Sequence, residues 1–254
     1  MRWLSCGLLC LVGVGCHVVN FVTGPAKGTP SDEVAVSPRV QPAPVVAVPV
    51  SEAKSNHLTL AAMHLEKGED AKACEHLGKF LATNPEHRNA RFYHADLLLK
   101  LGKAKEARDQ FEKVIAYGQE DAAPDLNHLA NCHGRVLEAA EVLSDQYLVH
   151  LHRGIGMYLL ALESAKLRDE DNPFSFEALL CKAAGELATA SKLRSGEARP
   201  CWYLHAVWRQ LAQPSQADRW LQEARRTSPW SHLTPCEQRQ LQLALSCERG
   251  SKVR

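Results

Sequence analysis

Between residues 54 and 119 the sequence repeats the same residue types at a spacing of about 34 positions. Each copy contains two helical segments separated by a glycine, Gly68 in the first copy and Gly102 in the second. Glycine at this place can adopt the left-handed conformation that ends a helix. The other matching positions are Ala61 with Ala95, Ala73 with Ala107, Leu77 with Phe111, and Leu81 with Ile115. A period of this length is typical of stacked helical hairpins.

The chemistry of the matching positions supports the packing of two helices within each copy. Small alanine side chains let antiparallel helices approach closely, and a larger side chain, Leu77 or Phe111, then fills the space between them. Asn84 and Pro85 end the first copy, since a proline cannot continue a helix. We therefore predict two helical hairpins between residues 54 and 119.

The composition of the chain supports an all-α fold for residues 54–254. These residues include 30 Leu and 28 Ala but only 6 Val and 2 Ile, and leucine and alanine favour helices whereas β-branched residues favour strands. The whole chain has 30 basic and 29 acidic residues, a net charge of +1, and no cluster of basic residues. Nucleic acid is therefore not an expected partner, because it requires many phosphate-neutralising side chains.

Residues 54–119 resemble two tandem tetratricopeptide repeats (TPRs), and residues 198–230 resemble a third. In the third unit the turn, Leu211–Ser215, is one residue shorter than in the family consensus and has Pro214 in place of glycine. The resemblance implies a right-handed superhelical solenoid of TPR-like helix pairs with an enlarged, irregular middle section and a C-terminal capping helix within residues 231–254. The family pattern in the third unit is carried by Trp202, Ala206, Ala217, Leu221, Ala224 and Pro229.

The middle section, residues 120–197, follows the family pattern poorly. One hypothesis pairs the second and third of its helices, with Gly154 and Ala184 as their small packing residues. The alternative is a local bundle of three long helices. Helical periodicity predicts these helices over Ala122–Ala140, Ser144–Leu167 and Phe174–Leu193.

Residues 1–16 are predicted to be an export signal. Arg2 is the only charge before an apolar stretch that ends at Cys16. The segment Leu11–Cys16 resembles the lipobox of bacterial lipoproteins, which implies cleavage before Cys16 and lipidation of that cysteine. The alternative is an uncut membrane anchor, because Trp3–Ala26 has no charge and is long enough to span a bilayer.

Residues 17–53 are predicted to be a disordered tether. The segment contains six prolines separated mainly by valine, alanine and serine, without a helical period. Such a composition favours extended chain over packed structure. The signal and the tether together predict a repeat domain that is held at a membrane of the cell envelope, outside the cytoplasm.

The cysteines and histidines are candidate metal ligands or redox groups. The six cysteines after residue 53 form no Cys-x-x-Cys pair, so a zinc site or covalent haem is not expected. Disulfides are feasible between Cys201 and Cys236 or between Cys236 and Cys247, whereas most of the cysteines fit small buried positions. The densest polar cluster, which could hold a metal or simply be structural, contains His128, Cys132, His133, His150 and His152. The prediction is that no metal or other cofactor is bound.

The TPR resemblance implies a groove, lined by the first helix of each hairpin, that holds a peptide or a helix of a partner protein. Phe92 and Tyr203 would be its aromatic anchors. The family's two-carboxylate clamp is not reproduced, because Lys100 stands nearly alone. Carried onto this sequence, the binding residues are Leu58, Ala62, Leu65, Asn89, Phe92, Asp96, Lys100, Tyr203 and Gln210.

The sequence therefore predicts a membrane-tethered scaffold or adaptor that binds protein and is not an enzyme. No catalytic motif such as Gly-x-Ser-x-Gly or His-Glu-x-x-His is found. Two alternatives remain open: a lipoprotein that assists assembly of an outer-membrane or pilus-type complex, and a metal-dependent envelope enzyme that uses the cluster between His128 and His152.

Overall fold

The computed structural model describes residues 51–167, 176–227 and 232–251, which all belong to one compact unit, Val48–Arg254. The predicted export signal, the tether up to residue 50 and the predicted break at residues 171–173 lie outside the described residues. In the described ranges the secondary structure is entirely helical. The ten helices are α1 Ser51–Glu66, α2 Asp70–Thr83, α3 Arg88–Lys100, α4 Ala104–Gln119, α5 Leu126–Val142, α6 Gln146–Leu167, α7 Phe176–Leu193, α8 Ala198–Gln210, α9 Pro214–Arg226 and α10 Pro235–Ser251.

Each helix packs mainly against the helices that precede and follow it in the chain. The alanines predicted to lie between the helices of the first two hairpins are completely or almost completely buried, and Phe111 fills the second hairpin with no exposed surface. The predicted all-α chain of helix pairs is therefore confirmed. The predicted helix at the C-terminus is also present, as α10.

Four hairpins share one turn, in which a residue with positive φ lies between two helices. These residues are Gly68 (φ 70°), Gly102 (φ 74°), Ser144 (φ 55°) and Ala212 (φ 53°). In each turn the backbone N–H of the following residue donates to a carbonyl five residues earlier, as in a Schellman motif. The hairpins are α1/α2, α3/α4, α5/α6 and α8/α9.

This shared turn corrects one sequence prediction and adds a hairpin to the middle section. The last hairpin is not shortened: Ala212 takes the place of glycine, and Pro214 is the first residue of α9. In the middle section the same turn, at Ser144, joins α5 to α6, while α6 also packs extensively against α7 as the pairing of the second and third helices implies. Both turns lack the glycine that marks the first two hairpins, so the sequence pattern gave the last turn the wrong length and did not show the turn at Ser144.

Helix α7 is thus an additional helix between two hairpins. Gly154 on α6 does provide close packing, as expected, because a Cβ atom built there would lie 2.7 Å from Cγ of Leu187 on α7. The turn at Ala212 makes α8 the first helix of its hairpin. Because α7 precedes it, α8 nevertheless packs against α6 and lies close to α4, each of which is the second helix of its own hairpin.

The C-terminal helix α10 packs against its neighbour α9 and also against the distant α4. Thr234 and Glu237 begin α10 with a capping box, in which the Thr234 hydroxyl accepts a hydrogen bond from the Glu237 backbone at 3.2 Å. In return, the Glu237 carboxylate accepts one from the Thr234 backbone at 2.9 Å. The packing of α10 against α4 brings the last helix back to the second hairpin.

Candidate functional site

The predicted groove residues on α1 form an exposed apolar stripe. Leu58 and Leu65 are 36% and 39% exposed, and Ala62 between them is also exposed. Their spacing of one and two helical turns places them on the same face of the helix. A partner protein can therefore reach all three side chains.

Predicted groove residues on α3 continue with a mixture of polar and apolar groups. Asn89 and Lys100 are exposed, while Phe92 is half-buried. The Phe92 ring packs at 5.4 Å from the Phe111 ring and 5.6 Å from the His128 ring, measured between centroids. Phe92 therefore presents only part of its ring, and the remainder belongs to the core of the hairpin.

Asp96, also predicted for the groove, contacts helix α5. Its carboxylate pairs with the guanidinium of Arg135, which also pairs with Glu138. The three residues are only partly covered by the fold, so the pair is a polar element of the surface between α3 and α5. Such a partly exposed pair contributes little stability but fixes where charges lie.

A cleft of about 280 Å³ lies beside Asn89, between the start of α3, the end of α4 and the start of α5. Arg88 and Asp121 form a two-bond ion pair at its rim, and Asp125 caps α5 by accepting a hydrogen bond from the His128 backbone at 2.9 Å. The charged groups of the cleft therefore have partners within the chain, while the amide of Asn89 lies beside them on the surface. Its lining residues are Arg88, Asn89, Gly118, Asp121, Asp125, His128 and Leu129.

Tyr203 is not available as an aromatic anchor, which corrects the sequence prediction. The side chain is buried, and its hydroxyl donates to Glu237 of α10 at 2.7 Å. Its ring packs edge-on against Tyr158 of α6. The additional helix α7 explains this result, because it places α8 beside α4 and α6, the second helices of their hairpins, and away from α3. Gln210 on α8 is exposed and hydrogen bonds to Tyr158.

A buried polar network joins α4, α6, α8 and α10 around Arg199. The guanidinium of Arg199 lies 3.1 Å from Glu112 on α4 and 3.2 Å from Glu237 on α10. Burial opposes the charge, but these two carboxylates raise the pKa of Arg199 above its usual value. Burial also opposes ionisation of Glu112, yet Arg199 and His152 hold the pKa of this carboxyl well below its usual range.

The predicted histidine cluster separates into three places. His128 lies against Phe92, with Nε2 3.7 Å from Sγ of Cys132. His133 and His152 form a buried pair, and His150 pairs with Glu186 on α7 at 2.6 Å. In the part of the chain that the structure describes, no group of three or more His, Cys, Asp or Glu side chains is arranged to hold a metal ion.

Polar pairs recur at one level of three hairpins, a regularity that the sequence analysis missed. The paired residues are 19 positions apart in each case: His57 with His76, Arg91 with Gln110, and His133 with His152. Two of the pairs are His with His, but the pair in the hairpin between them is Arg with Gln, so identical residues do not recur from one hairpin to the next. This level of the hairpins therefore carries interhelical hydrogen bonds.

All six cysteines within the described residues are free. Cys74, Cys132 and Cys201 are buried, Cys236 is half-buried, and Cys181 and Cys247 are exposed. Neither of the two feasible disulfides is formed, and half of these cysteines occupy the small buried positions that the sequence indicates. Cys16, the predicted lipidation site, lies outside the described residues.

Within the described ranges, none of the helices combines the length and the apolar character needed to cross a membrane. No protein-family model matches the chain. No curated protein matches it.

Several solved structures are similar to the chain. A crystal structure of a MamA protein has 11% identity and a TM-score of 0.36, and the match covers 69% of this chain and 91% of that one. YrrB, a TPR protein with an unusual peptide-binding site, has 15% identity and a TM-score of 0.32, with 68% and 89% coverage. MamA residues 41 to the end from Desulfovibrio magneticus RS-1 have 14% identity and a TM-score of 0.29, with 67% and 92% coverage. The likeness concerns the fold alone. By its own helices, the described part of the chain is an all-α arrangement of consecutive helix pairs.

Proposed function

We propose that this protein is a binding scaffold whose partner-binding surface is the face of α1 and α3 that carries Leu58, Ala62, Leu65 and Asn89. The observation that supports this proposal is the exposed apolar stripe on α1. An exposed group of apolar side chains next to amide and charged groups is typical of protein interfaces. The activity proposed is binding of a protein or peptide, without catalysis.

The C-terminal part of the predicted groove is excluded from this surface. Tyr203 is enclosed by the chain itself, so the binding surface is restricted to the first two hairpins and the start of α5. Phe92 contributes one edge of its ring, and the ion pair between Asp96 and Arg135 sets the charge pattern beside it. The partner expected from this surface has an apolar stripe flanked by polar groups.

Site-specific photocrosslinking tests the surface in the full-length protein. A crosslinking residue at Leu65 or Asn89 is expected to capture a discrete protein partner in a bacterial envelope extract. The control position is Leu243 on α10, which is 65% exposed but lies outside the proposed surface. Identical products from Leu65 and Leu243, or no product at Leu65 and Asn89, would refute the proposal.

Point substitutions then measure the contribution of the stripe. Leu65→Asp is expected to reduce capture at Asn89 at least about tenfold, since burial of one large apolar side chain is worth about 1.5–3 kcal/mol. Leu243→Asp is the matched control and should leave capture unchanged. Both side chains are exposed, so neither substitution is expected to unfold the protein.

We further propose that the scaffold is held at a membrane of the bacterial cell envelope through lipidated Cys16. The support is the sequence of residues 1–16, with its apolar stretch and lipobox-like end. Mass spectrometry of the mature N-terminus, compared with Cys16→Ala, tests this assignment. A mature N-terminus at Cys16 that carries acyl chains is expected, whereas an unmodified Cys16 would rule it out.

A further inference from the structure

The carboxylate of Glu237 lies in a site that is built mostly by other helices. Its side chain is almost fully buried, and it receives hydrogen bonds from the Tyr203 hydroxyl at 2.7 Å and the Gln119 amide at 3.3 Å. Arg199 Nε donates to the same carboxylate at 3.2 Å. Gln119, Arg199 and Tyr203 are here called the Glu237 site.

We propose that the Glu237 site is a binding site for the first turn of a helix that carries Thr-x-x-Glu, and that α10 fills it within the same chain. The site lies between α4 and α8, apart from the α1 and α3 surface, so this proposal does not depend on the proposed function. It adds a second binding site, whose ligand is a helix N-terminus with a carboxylate at its third position.

In the filled Glu237 site, Arg199 is held by a helix other than α10 and Tyr203 keeps its proton. Arg199 is fixed by Glu112, whose carboxylate oxygens lie 3.1 and 3.2 Å from Nη1. Burial and the nearby Glu237 carboxylate raise the pKa of Tyr203 well above its usual value, so the hydroxyl keeps the proton that it donates. An empty site would leave the buried Tyr203 and Arg199 donors without this acceptor, which is costly away from water.

Gln119 makes the site selective for both residues of the capping box. Its amide nitrogen donates to Glu237, and its amide oxygen accepts a hydrogen bond from the Thr234 hydroxyl at 2.5 Å. A ligand that offers the carboxylate but no threonine would leave the amide oxygen of Gln119 without its hydrogen bond. The ligand class is therefore a helix start with both groups, and not any acidic side chain.

The rest of α10 is attached less firmly than its first turn. Leu241 is fully buried, but Leu243 is 65% exposed. Beyond the polar contacts of its first turn with α8, this helix packs mainly against α9 and α4. A helix of another protein, or α10 of a second copy, that offers Thr-x-x-Glu would therefore compete with the chain's own α10.

The first experiment measures docking of α10 in the full chain by thiol labelling and mass spectrometry. Cys236 is next to Glu237 and half-buried, whereas Cys247 on the same helix is exposed. Glu237→Gln is expected to increase the labelling rate of Cys236 at least about tenfold, because a hydrogen bond to a charged group is worth about 1.5–3 kcal/mol. The matched control, Glu75→Gln, removes an exposed carboxylate that pairs with Lys79 and should have no effect.

The buried thiols of Cys74 and Cys201 report whether the remainder of the fold is intact. If Glu237→Gln exposes them as well, Tyr203→Phe replaces it as the test, because this change removes one hydroxyl and keeps the ring. Unchanged labelling of Cys236 in a variant that keeps Cys74 and Cys201 protected would overturn the proposal.

The second experiment offers the ligand in trans. A fluorescent peptide of residues 232–251 is expected to bind full-length Glu237→Gln protein, with binding to the wild-type chain at least about tenfold weaker because its site is filled. The same peptide carrying Glu237→Gln should bind the variant protein at least about tenfold less tightly than the unmodified peptide. Equal binding of the two peptides, or no binding of either, would refute a carboxylate-specific site.

Discussion

Nδ1 of His133 on α5 lies 2.9 Å from Nδ1 of His152 on α6, and both side chains are buried. One proton must lie between two nitrogens at this distance. Nε2 of His152 is 3.0 Å from a carboxylate oxygen of Glu112, and His152 helps to lower the pKa of this carboxyl. We infer that Nδ1–H of His133 donates to Nδ1 of His152 and that Nε2 of His133, which has no hydrogen-bond partner, carries no proton. Burial lowers the pKa of His133, which agrees with a neutral imidazole at this residue.

Acidification should destabilise the protein through His133. Burial, with His152 and Arg199 nearby, lowers the pKa of His133 well below 6.5. Below pH 6.5 the unfolded chain therefore binds a proton at this residue that the folded protein does not. The stability that neutral His133 provides is complete above pH 6.5 and is lost as the pH falls, by up to about 1.4 kcal/mol per pH unit.

Urea unfolding between pH 7.5 and pH 5.5 measures this loss. His133→Asn keeps a side-chain N–H but cannot titrate. As the pH falls, the free energy of unfolding of this variant should therefore decrease less steeply than that of the wild type, by up to about 1.4 kcal/mol per pH unit. Asn131→Ala, which shortens an exposed side chain of the same helix that cannot titrate, is the control and should keep the wild-type slope. A wild-type slope in His133→Asn would contradict the assignment.

In the two turns without glycine, replacing the residue that has a positive φ by glycine should stabilise the protein. Ala212 and Ser144 have φ angles of 53° and 55°, which are unfavourable for residues with a Cβ atom. Ala212→Gly and Ser144→Gly are each expected to raise the free energy of unfolding by about 1 kcal/mol, measured with urea. Ala206→Gly within α8 is the control and should lower it by about 1 kcal/mol.

Close packing of α6 on α7 should make Gly154 intolerant of a side chain. A Cβ atom at Gly154 would lie 2.7 Å from Cγ of Leu187 and 3.2 Å from its backbone nitrogen. Gly154→Ala is therefore expected to cost about 1–3 kcal/mol, despite the better helix propensity of alanine. Gly185→Ala on α7, where a Cβ atom meets nothing within 4 Å, should instead stabilise by about 1 kcal/mol.

A double-mutant cycle identifies the cause of this cost. In a Leu187→Ala background the side chain that blocks the Cβ atom is shortened, so Gly154→Ala should cost at least about 0.5 kcal/mol less than in the wild type. Additive costs in the cycle would mean that the backbone, and not the Leu187 side chain, sets the limit.

Thiol reactivity should vary widely among the cysteines. Burial raises the pKa of Cys132 to about 12, so almost no thiolate is present at pH 8. Cys181 and Cys247 are exposed. Iodoacetamide labelling of the native protein, followed by mass spectrometry, should modify these two first and Cys132 only under denaturing conditions. Rapid native labelling of Cys132 would show that α5 opens readily.

Sequence alone was sufficient for the hairpins that contain glycine. Gly68 and Gly102 mark turns whose geometry requires a positive φ, and the alanines around them recur because two helices must approach closely. The hairpin at Ser144 has the same geometry without these residue types, so no local pattern identified it. Its turn is maintained by hydrogen bonds of the backbone, which every residue type can make.

The exposure of the predicted binding residues follows the sequence pattern only where the helix order is regular. Leu58, Leu65 and Asn89 are exposed as the hairpin pattern implies. Tyr203 fits the same pattern in sequence, but one additional helix, α7, changes the neighbours of α8. Partners such as Glu237, which is 34 positions from Tyr203, depend on tertiary packing and have no signal in local sequence.

The return of α10 to α4 has a consequence for how the protein unfolds. In a stack of hairpins each unit contacts only its neighbours, and such a stack can melt from either end in steps. Here Gln119 and Glu237, 118 positions apart, join the second hairpin to the last helix. Loss of the C-terminal helix therefore removes support from α4 as well as from α9. Melting of residues 104–251 should accordingly be cooperative, while the first hairpin, which precedes this closure, remains free to open independently.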